Sequence, residues 1–253
     1  MTAMAAPVAI VTGAGQGIGR AAALALAGRG RHVVVADRDP ATGAETVARV
    51  AAAGGSASLA AVDVTDPAAV DAMAAAVLAR HGAIDALVTC ARWTGLVPTP
   101  VAEIADADWR RAMDVNVTGT FNCVRAVVPS MSARRRGRIV VLSSATVTLP
   151  PARPYVHYLT TKAALIGMTR GLAKELGAVG ITVNAVLPGS VETGVPRPHL
   201  GADDRAARAA ASQSVPVPVR PEDVAAAIVF LVCDETGMIT GQSITVDGGR
   251  SFL

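Results

Sequence analysis

Short runs of β-branched and aliphatic residues alternate along this chain with longer, alanine-rich stretches of helical character. The runs at Val8 to Val11, Val33 to Ala36, Ser58 to Val62, Ile84 to Val88, Arg138 to Leu142, Ile181 to Val186 and Ser243 to Val246 predict strands. Helices are predicted over Gly17 to Gly28, Ala41 to Ala53, Pro67 to Arg80, Asp106 to Met131 (in one or two parts), Tyr155 to Leu176 and Pro221 to Cys233. Strands that read as continuous apolar runs belong in a parallel sheet, buried on both faces. Strand–helix alternation then implies an α/β fold with a doubly wound parallel sheet of about seven strands and right-handed crossovers.

No repeat, low-complexity tract or long linker divides the 253 residues, so a single domain over 1–253 is expected. The main irregular stretch is Leu187 to Arg220, with five prolines and a short predicted helix near Asp203 to Ser212. An insertion of this kind, at about 188–220, is often a lid over a site.

Composition narrows the function classes. The chain is 51% hydrophobic but only 3% aromatic, so its core must be built from small aliphatic side chains. A net charge of +3 is mildly basic, and much of the excess sits in Arg134, Arg135, Arg136 and Arg138. No aromatics interleave that run and no binding motif accompanies it, so it reads as a solvated loop rather than a nucleic-acid site. Cys90, Cys123 and Cys233 are odd in number and far apart. They suggest neither a disulfide framework nor a metal site, and fit a reducing cytoplasm. The uncharged first 19 residues lack a basic n-region and are broken by glycines, unlike a signal peptide. The apolar run Val224 to Cys233 is too short to span a bilayer.

Two features carry chemistry. Lys162 and Lys174 are the only lysines among 23 basic residues, and Lys162 stands four residues after Tyr158. On a helix that spacing puts an ammonium beside a phenol. A phenol titrates near pH 10, and a nearby cation lowers that value. Such a tyrosine is a candidate general acid/base. At the other end of the chain, the first strand runs into Gly13, Gly15, Gln16, Gly17, Ile18 and Gly19, and a helix follows. Glycines there let a pyrophosphate approach the backbone, and the helix N-terminus offers free N–H groups. The spacing is Gly13-x-x-x-Gly17-x-Gly19, and no Walker lysine follows. Asp37, at the end of the second strand, is placed to bond the adenosine ribose and repel a 2′-phosphate, which favours NAD(H) over NADP(H). Arg38 is the competing receiver of that phosphate, and Gln16 occupies a place where an arginine would help NADP.

With Thr12 to Gly19, Asp37, Asn116, Ser144, Tyr158 and Lys162 together, the chain resembles the short-chain dehydrogenase/reductase family over nearly its whole length. Asp63-Val64 is similar to the family's adenine-contacting pair, and Asn116-Val117-Thr118-Gly119 to its Asn-x-x-Gly motif. Pro188-Gly189 resembles the loop past the nicotinamide, with Val191 and Thr193 beyond it. Thr193 is the implied carboxamide partner. The resemblance implies a tetrad: Tyr158 as acid/base, Lys162 lowering its pKa and holding the nicotinamide ribose, a serine on the substrate oxygen, and Asn116 fixing a water. Ser143 and Ser144 both compete for the serine role, with Ser144 favoured. The family also implies a homotetramer or homodimer, built on the two long helices and the last strand.

One stretch departs from the pattern. Where the family has Asn-Asn-Ala-Gly, this chain has Thr89-Cys90-Ala91-Arg92. Cys90 and Ala91 keep the cofactor-side position. Arg92 replaces a glycine, and its guanidinium should either turn outward or reach toward the cofactor's phosphates or the substrate. Without a base, Cys90 is a poor candidate nucleophile. The substrate pocket is expected to be apolar, from Trp93, Leu96, Thr146, Val147, Leu149, Tyr155, Val195 and Leu200. The stretch Tyr155 to Tyr158 also resembles that of reductases of bulky or aromatic secondary alcohols, with His157 a packing residue. The resulting expectation is an NAD(H)-dependent alcohol dehydrogenase or ketoreductase acting on a small molecule. A 3-oxoacyl thioester reductase using NADPH and a non-catalytic nucleotide-binding scaffold are the alternatives.

Overall fold

The computed structural model describes residues 6–93, 95, 97–195 and 210–252. Seven parallel strands form one sheet in the order β3-β2-β1-β4-β5-β6-β7. They are β1 (Val8–Thr12), β2 (His32–Asp37), β3 (Ser56–Ala61), β4 (Ala86–Thr89), β5 (Gly137–Leu142), β6 (Ile181–Pro188) and β7 (Ser243–Val246). Connecting them are α1 (Gly17–Ala27), α2 (Pro40–Ala52), α3 (Pro67–His81), α4 (Asp106–Met113), α5 (Gly119–Ala133), α6 (Val156–Leu176) and α7 (Pro221–Val232).

Alternate residues of each central strand face opposite layers. Ala9, Val11, Val33, Val35 and Val88 pack under α1, α2 and α7, with Leu26, Val50 and Ile228. Val8, Ile10, Val34, Leu87 and Val141 pack under α3, α5 and α6, with Met73, Met131 and Leu165. Alanines such as Ala22 and Ala23, both fully buried, let α1 lie close to the sheet. Each fully buried Ile or Leu, such as Ile10 or Ile228, contributes about 1.5–3 kcal/mol relative to an exposed one.

Several expectations shift. β3 begins at Ser56 and has no fully buried residue, because it is an edge strand and pairs only with β2. The long helical region after β4 is two helices joined by a π turn at Asp114–Thr118. α6 begins at Val156, with Tyr155 outside it at φ −141°. The helix expected near Asp203 to Ser212 lies largely outside the described residues. The return of that insertion is tied to the C-terminal turn, where Val215 N–H donates to Gly248 O at 2.8 Å. No helix among the described residues is long and apolar enough to cross a membrane.

The carboxyl ends of β1 and β4 lie side by side, with Thr12 opposite Thr89. From there the strand order runs outward in both directions, which makes this the switch point where doubly wound sheets bind ligands.

Candidate active site

The glycine loop is shaped by contacts that forbid side chains. Gly13 has φ +61° and Gly17 φ +55°, a backbone region that favours glycine. A Cβ at Gly13 would stand 2.7 Å from the Ala91 backbone, so the β1 and β4 loops touch. A Cβ at Gly19 would collide with the Gly13 carbonyl. Gln16 is the exposed N-cap of α1 and makes no capping bond through its side chain, while Ile18 is half-buried. Asp37 is held at the cradle's edge: Oδ2 accepts from Gly15 N–H at 2.7 Å and Oδ1 from Asp39 N–H at 3.0 Å. Arg38 is exposed and its charge acts on Asp63. Burial pushes the Asp63 carboxyl up, but hydrogen bonds from Thr65 and the charges of Arg111 and Arg38 outweigh it and hold the group below its ordinary value. Val64 is buried against α5, where a Cβ at Gly119 would press on its side chain. These features fit a nucleotide: an N-terminus with unclaimed N–H groups, a cradle that a Cβ would fill, and a carboxylate at its rim.

The catalytic candidates converge at the other half of the same edge. Lys162 is 3% exposed, and its ammonium lies 5.9 Å from the centre of the Tyr158 ring. Nζ donates to the Leu142 carbonyl at 2.7 Å, and the Ser143 hydroxyl donates to the Lys162 carbonyl at 2.8 Å. This double clasp locks α6 to the end of β5. Burial pushes the Lys162 ammonium down, Tyr158 and Cys90 oppose that, and the Arg92 guanidinium adds to it. Ser143 is thereby committed to backbone. Ser144 is different: its Oγ accepts from Thr146 Oγ1 at 2.9 Å and from Thr146 N–H at 3.3 Å, and it keeps its own proton to give.

Asn116 is fully buried inside the π turn. Such turns widen a helix locally and are common at functional sites. Its Oδ1 accepts from Trp93 N–H at 2.8 Å and its Nδ2 donates to Thr161 Oγ1 at 3.1 Å. Thr161 Oγ1 donates in turn to the Tyr158 carbonyl at 2.8 Å. Asn116 therefore braces the β4 loop against α6. Thr161 was missed by the sequence reading, and Thr12 was read only as the start of the glycine motif, without its Oγ1 accepting from Ala91 N–H at 3.2 Å. A buried threonine carries no chemical signature that marks it out from packing. Thr46 was missed for the same reason; its hydroxyl donates to Ala14 O at 2.9 Å beneath the glycine loop.

Burial pushes the Cys90 thiol up to about 12, which leaves it protonated and a poor nucleophile. Thr89 Oγ1, in the same altered stretch, is buried with no hydrogen-bond partner among the described residues. Pro188 closes β6, and a Cβ at Gly189 would stand 2.6 Å from that of Asp247. Val191 is buried and bridges to Val219. Thr193 and Val195 hang over Gly17, each 3.4 Å from where its Cβ would be. Tyr155 packs on Tyr158 at 5.2 Å between ring centres, and Leu149 is exposed at the rim. Val147 is half-buried. Leu96 and Leu200 lie outside the described residues. His157 is buried, edge-on to Tyr155.

The sequence profile of a family described as enoyl-(acyl carrier protein) reductase matches residues 13–251. The short-chain reductase protein NovJ of Streptomyces niveus is 40% identical over 248 residues, covering 96% of this chain and 93% of the relative. This chain belongs to the short-chain dehydrogenase/reductase family. It is accordingly an oxidoreductase of that family, whose cradle takes a nucleotide cofactor. Two solved structures are similar to it over nearly the whole chain. A variant of actinorhodin polyketide ketoreductase with NADPH superposes with a TM-score of 0.89 at 31% identity, covering 97% of each chain. A 3-oxoacyl-[acyl-carrier protein] reductase with bound NAD from Brucella melitensis gives 0.85 at 34%, covering 98% of this chain and 93% of the other.

Proposed function

We propose that this chain interconverts a secondary alcohol and a ketone with NAD(H), using Tyr158 as the general acid/base. The observation that carries the reading is the buried Lys162, clasped to β5 and set beside the Tyr158 ring. A bound nicotinamide nucleotide supplies or accepts the hydride. In the reducing direction Tyr158 Oη gives its proton to the substrate oxygen, and in the oxidising direction it takes it back. Ser144 Oγ–H donates to the same oxygen, while the positive charge of Lys162 favours the phenolate. Lys162 would also hold the nicotinamide ribose, and Asn116 would hold a water behind it.

Gly13 to Gly19 would cradle the pyrophosphate, with Asp63, Val64, Cys90, Ala91, Gly189, Val191 and Thr193 lining the rest of the cofactor. Asp37 supports NAD over NADP, since a carboxylate held at the cradle's rim by Gly15 and Asp39 N–H can accept from a ribose diol and repels a 2′-phosphate. The exposed Arg38 favours the competing reading, a 3-oxoacyl thioester reductase using NADPH. The substrate side would be formed by Trp93, Thr146, Leu149, Tyr155 and Val195. Assembly as a homotetramer or homodimer is part of the proposal. Phe121 on α5 and Val156 on α6 are exposed, and nothing lies within 4 Å of a Cβ built at Gly167 or Gly171, which leaves α6 open to a second helix.

The test follows NADH and NADPH oxidation against alkyl, aryl and thioester ketones. Turnover should favour NADH, and Tyr158→Phe should lose about 10²–10⁴-fold in rate with cofactor binding intact. Asp37→Ala should narrow or reverse the cofactor preference. Turnover with no ketone, or a Tyr158→Phe enzyme that keeps more than about a tenth of the rate, would refute the reading.

A further inference from the structure

Arg92 replaces a glycine, and none of the roles above employs it. The backbone on either side is clamped. Ala91 N–H donates to Thr12 Oγ1 at 3.2 Å, and its backbone rests on Gly13. Trp93 N–H donates to Asn116 Oδ1 at 2.8 Å. The Arg92 Cα is therefore held at the carboxyl edge of the sheet, between the glycine loop and the π turn. The side chain is only partly exposed, and among the described residues it makes no hydrogen bond or ion pair. Its charge is felt by Lys162, and it lowers the ammonium's pKa.

Among the described residues, the carboxylates that end or follow β2, β3 and β7 are held by groups other than Arg92. Asp37 accepts from Gly15 and Asp39, Asp63 from Thr65, and Asp247 from residues 249 to 251. Among the described residues, neither Lys162 nor Arg92 forms an ion pair with a carboxylate. Like charges in a partly buried cleft disfavour each other, and an arriving anion relieves both. The cofactor's phosphates belong at the start of α1, whereas the chain leaves Arg92 through Trp93, whose N–H is fixed to Asn116 and through it to Thr161 on α6, the helix of Tyr158 and Lys162.

We propose that Arg92 is a specificity residue that binds a carboxylate on the substrate, so that the chain acts on oxo acids and hydroxy acids in preference to neutral ketones. This rests on the oxidoreductase reading above. A guanidinium forks onto a carboxylate through two N–H groups, which a lysine cannot match. The contact is made through the substrate's acidic group, away from the carbonyl that Tyr158 and Ser144 address.

The experiment measures kcat/KM with NADH for acetoacetate and benzoylformate, each beside its methyl ester. It uses wild type, Arg92→Gly, Arg92→Gln and Arg92→Lys; the glutamine variant keeps the bulk should glycine loosen the loop. Wild type should prefer the acids, and the glycine and glutamine variants should lose about tenfold to a hundredfold on the acids, mainly through KM, as expected for a charge-assisted bond. The esters should change less than about twofold, and Arg92→Lys should restore part of the preference. Separately, 3-hydroxybutanoate and mandelate are titrated into the protein–NADH complex, which cannot turn over. Their binding should weaken in Arg92→Gln while NADH affinity holds. If nothing is turned over but this binding difference is seen, the carboxylate site stands and the activity reading fails. Equal losses on acid and ester, or a wild type that does not distinguish them in rate or binding, would overturn the proposal. A fall in NADH affinity instead would reassign Arg92 to the cofactor's phosphates and overturn it too.

Discussion

Two groups of cations, one at each edge of the sheet, meet different surroundings. At the amino ends of the strands, the arginine run before β5 is fully engaged. Arg134 meets Asp85 at 2.7 Å, Arg136 meets Asp234 at 2.6 Å, Arg138 lies 3.9 Å from Asp234, and Arg135 donates to the Ala178 carbonyl at 2.8 Å. Asp85 also accepts from Val8 N–H at 2.7 Å, so one carboxylate ties the start of β1 to the turn before β5. At the carboxyl ends, Lys162 and Arg92 meet no carboxylate among the described residues. The arginine run is matched within the protein; on the proposal above, the charge of Arg92 is matched by the substrate. The arginine cluster, which dominates a reading of the sequence by composition, is structural and lies on the edge away from the candidate site.

The sharpest way to break this contrast is the serine pair. Ser144→Ala should lower kcat by about 10²–10³, the range for loss of one donor to a developing oxyanion. Ser143→Ala should leave kcat nearly unchanged and cost about 1 kcal/mol of stability, the worth of its bond to the Lys162 carbonyl. Steady-state kinetics and urea unfolding of both variants check this, and the reverse pattern would exchange their roles. Next in size is Asp85→Ala. It removes the pair with Arg134 and the bond to Val8 N–H from a largely buried position. Stability should fall by roughly 2–3 kcal/mol, with kcat/KM per folded molecule intact. A selective loss of activity would show that the amino edge is coupled to the site.

A smaller effect concerns His32, also at the amino edge. Its ring nitrogens lie 2.7 and 2.9 Å from the hydroxyls of Ser56 and Ser58, and its ring is stacked 4.3 Å from that of His81. Burial pushes its pKa below the ordinary value of 6.5, and the charges of His81 and Arg80 push the same way. The folded state therefore binds this proton less readily than the unfolded chain. Its contribution to stability is complete above pH 6.5 and is lost as pH falls through the lower, folded value. Melting temperature should drop from pH 7.5 toward pH 5, and less steeply in His81→Asn, which removes one cause. An unchanged slope would mean that burial and Arg80 set the shift without His81.

The smallest expected effect lies at the altered stretch beside the site. Thr89→Val removes a buried hydroxyl that has no partner among the described residues. Unfolding should show a gain of up to about 1 kcal/mol, because an unsatisfied buried group is replaced by a methyl of similar shape. A loss of stability would mean that the hydroxyl is satisfied by water.

Much of this molecule was legible before its structure was known, for identifiable reasons. Strand–helix alternation reflects burial, which side-chain type records directly, so the order of elements and the parallel sheet were readable. The glycines at 13, 17 and 19 mark backbone that no side chain could share, and a spacing of four places Tyr158 and Lys162 on one helix face. Each of these is a local property of the chain.

Contacts between distant segments were not legible. Ser143 and Ser144 are adjacent and chemically identical. Only the docking of α6 against β5 turns one hydroxyl to the Lys162 carbonyl and leaves the other beside Thr146. The π turn that buries Asn116 depends on the β4 loop it braces, and the half-exposed β3 on its place at the sheet's edge. The sequence could place Arg92 only in the loop after β4. The effect of its charge on Lys162 is a product of packing between segments 70 residues apart, because the field at a side chain is set by what the fold brings near it.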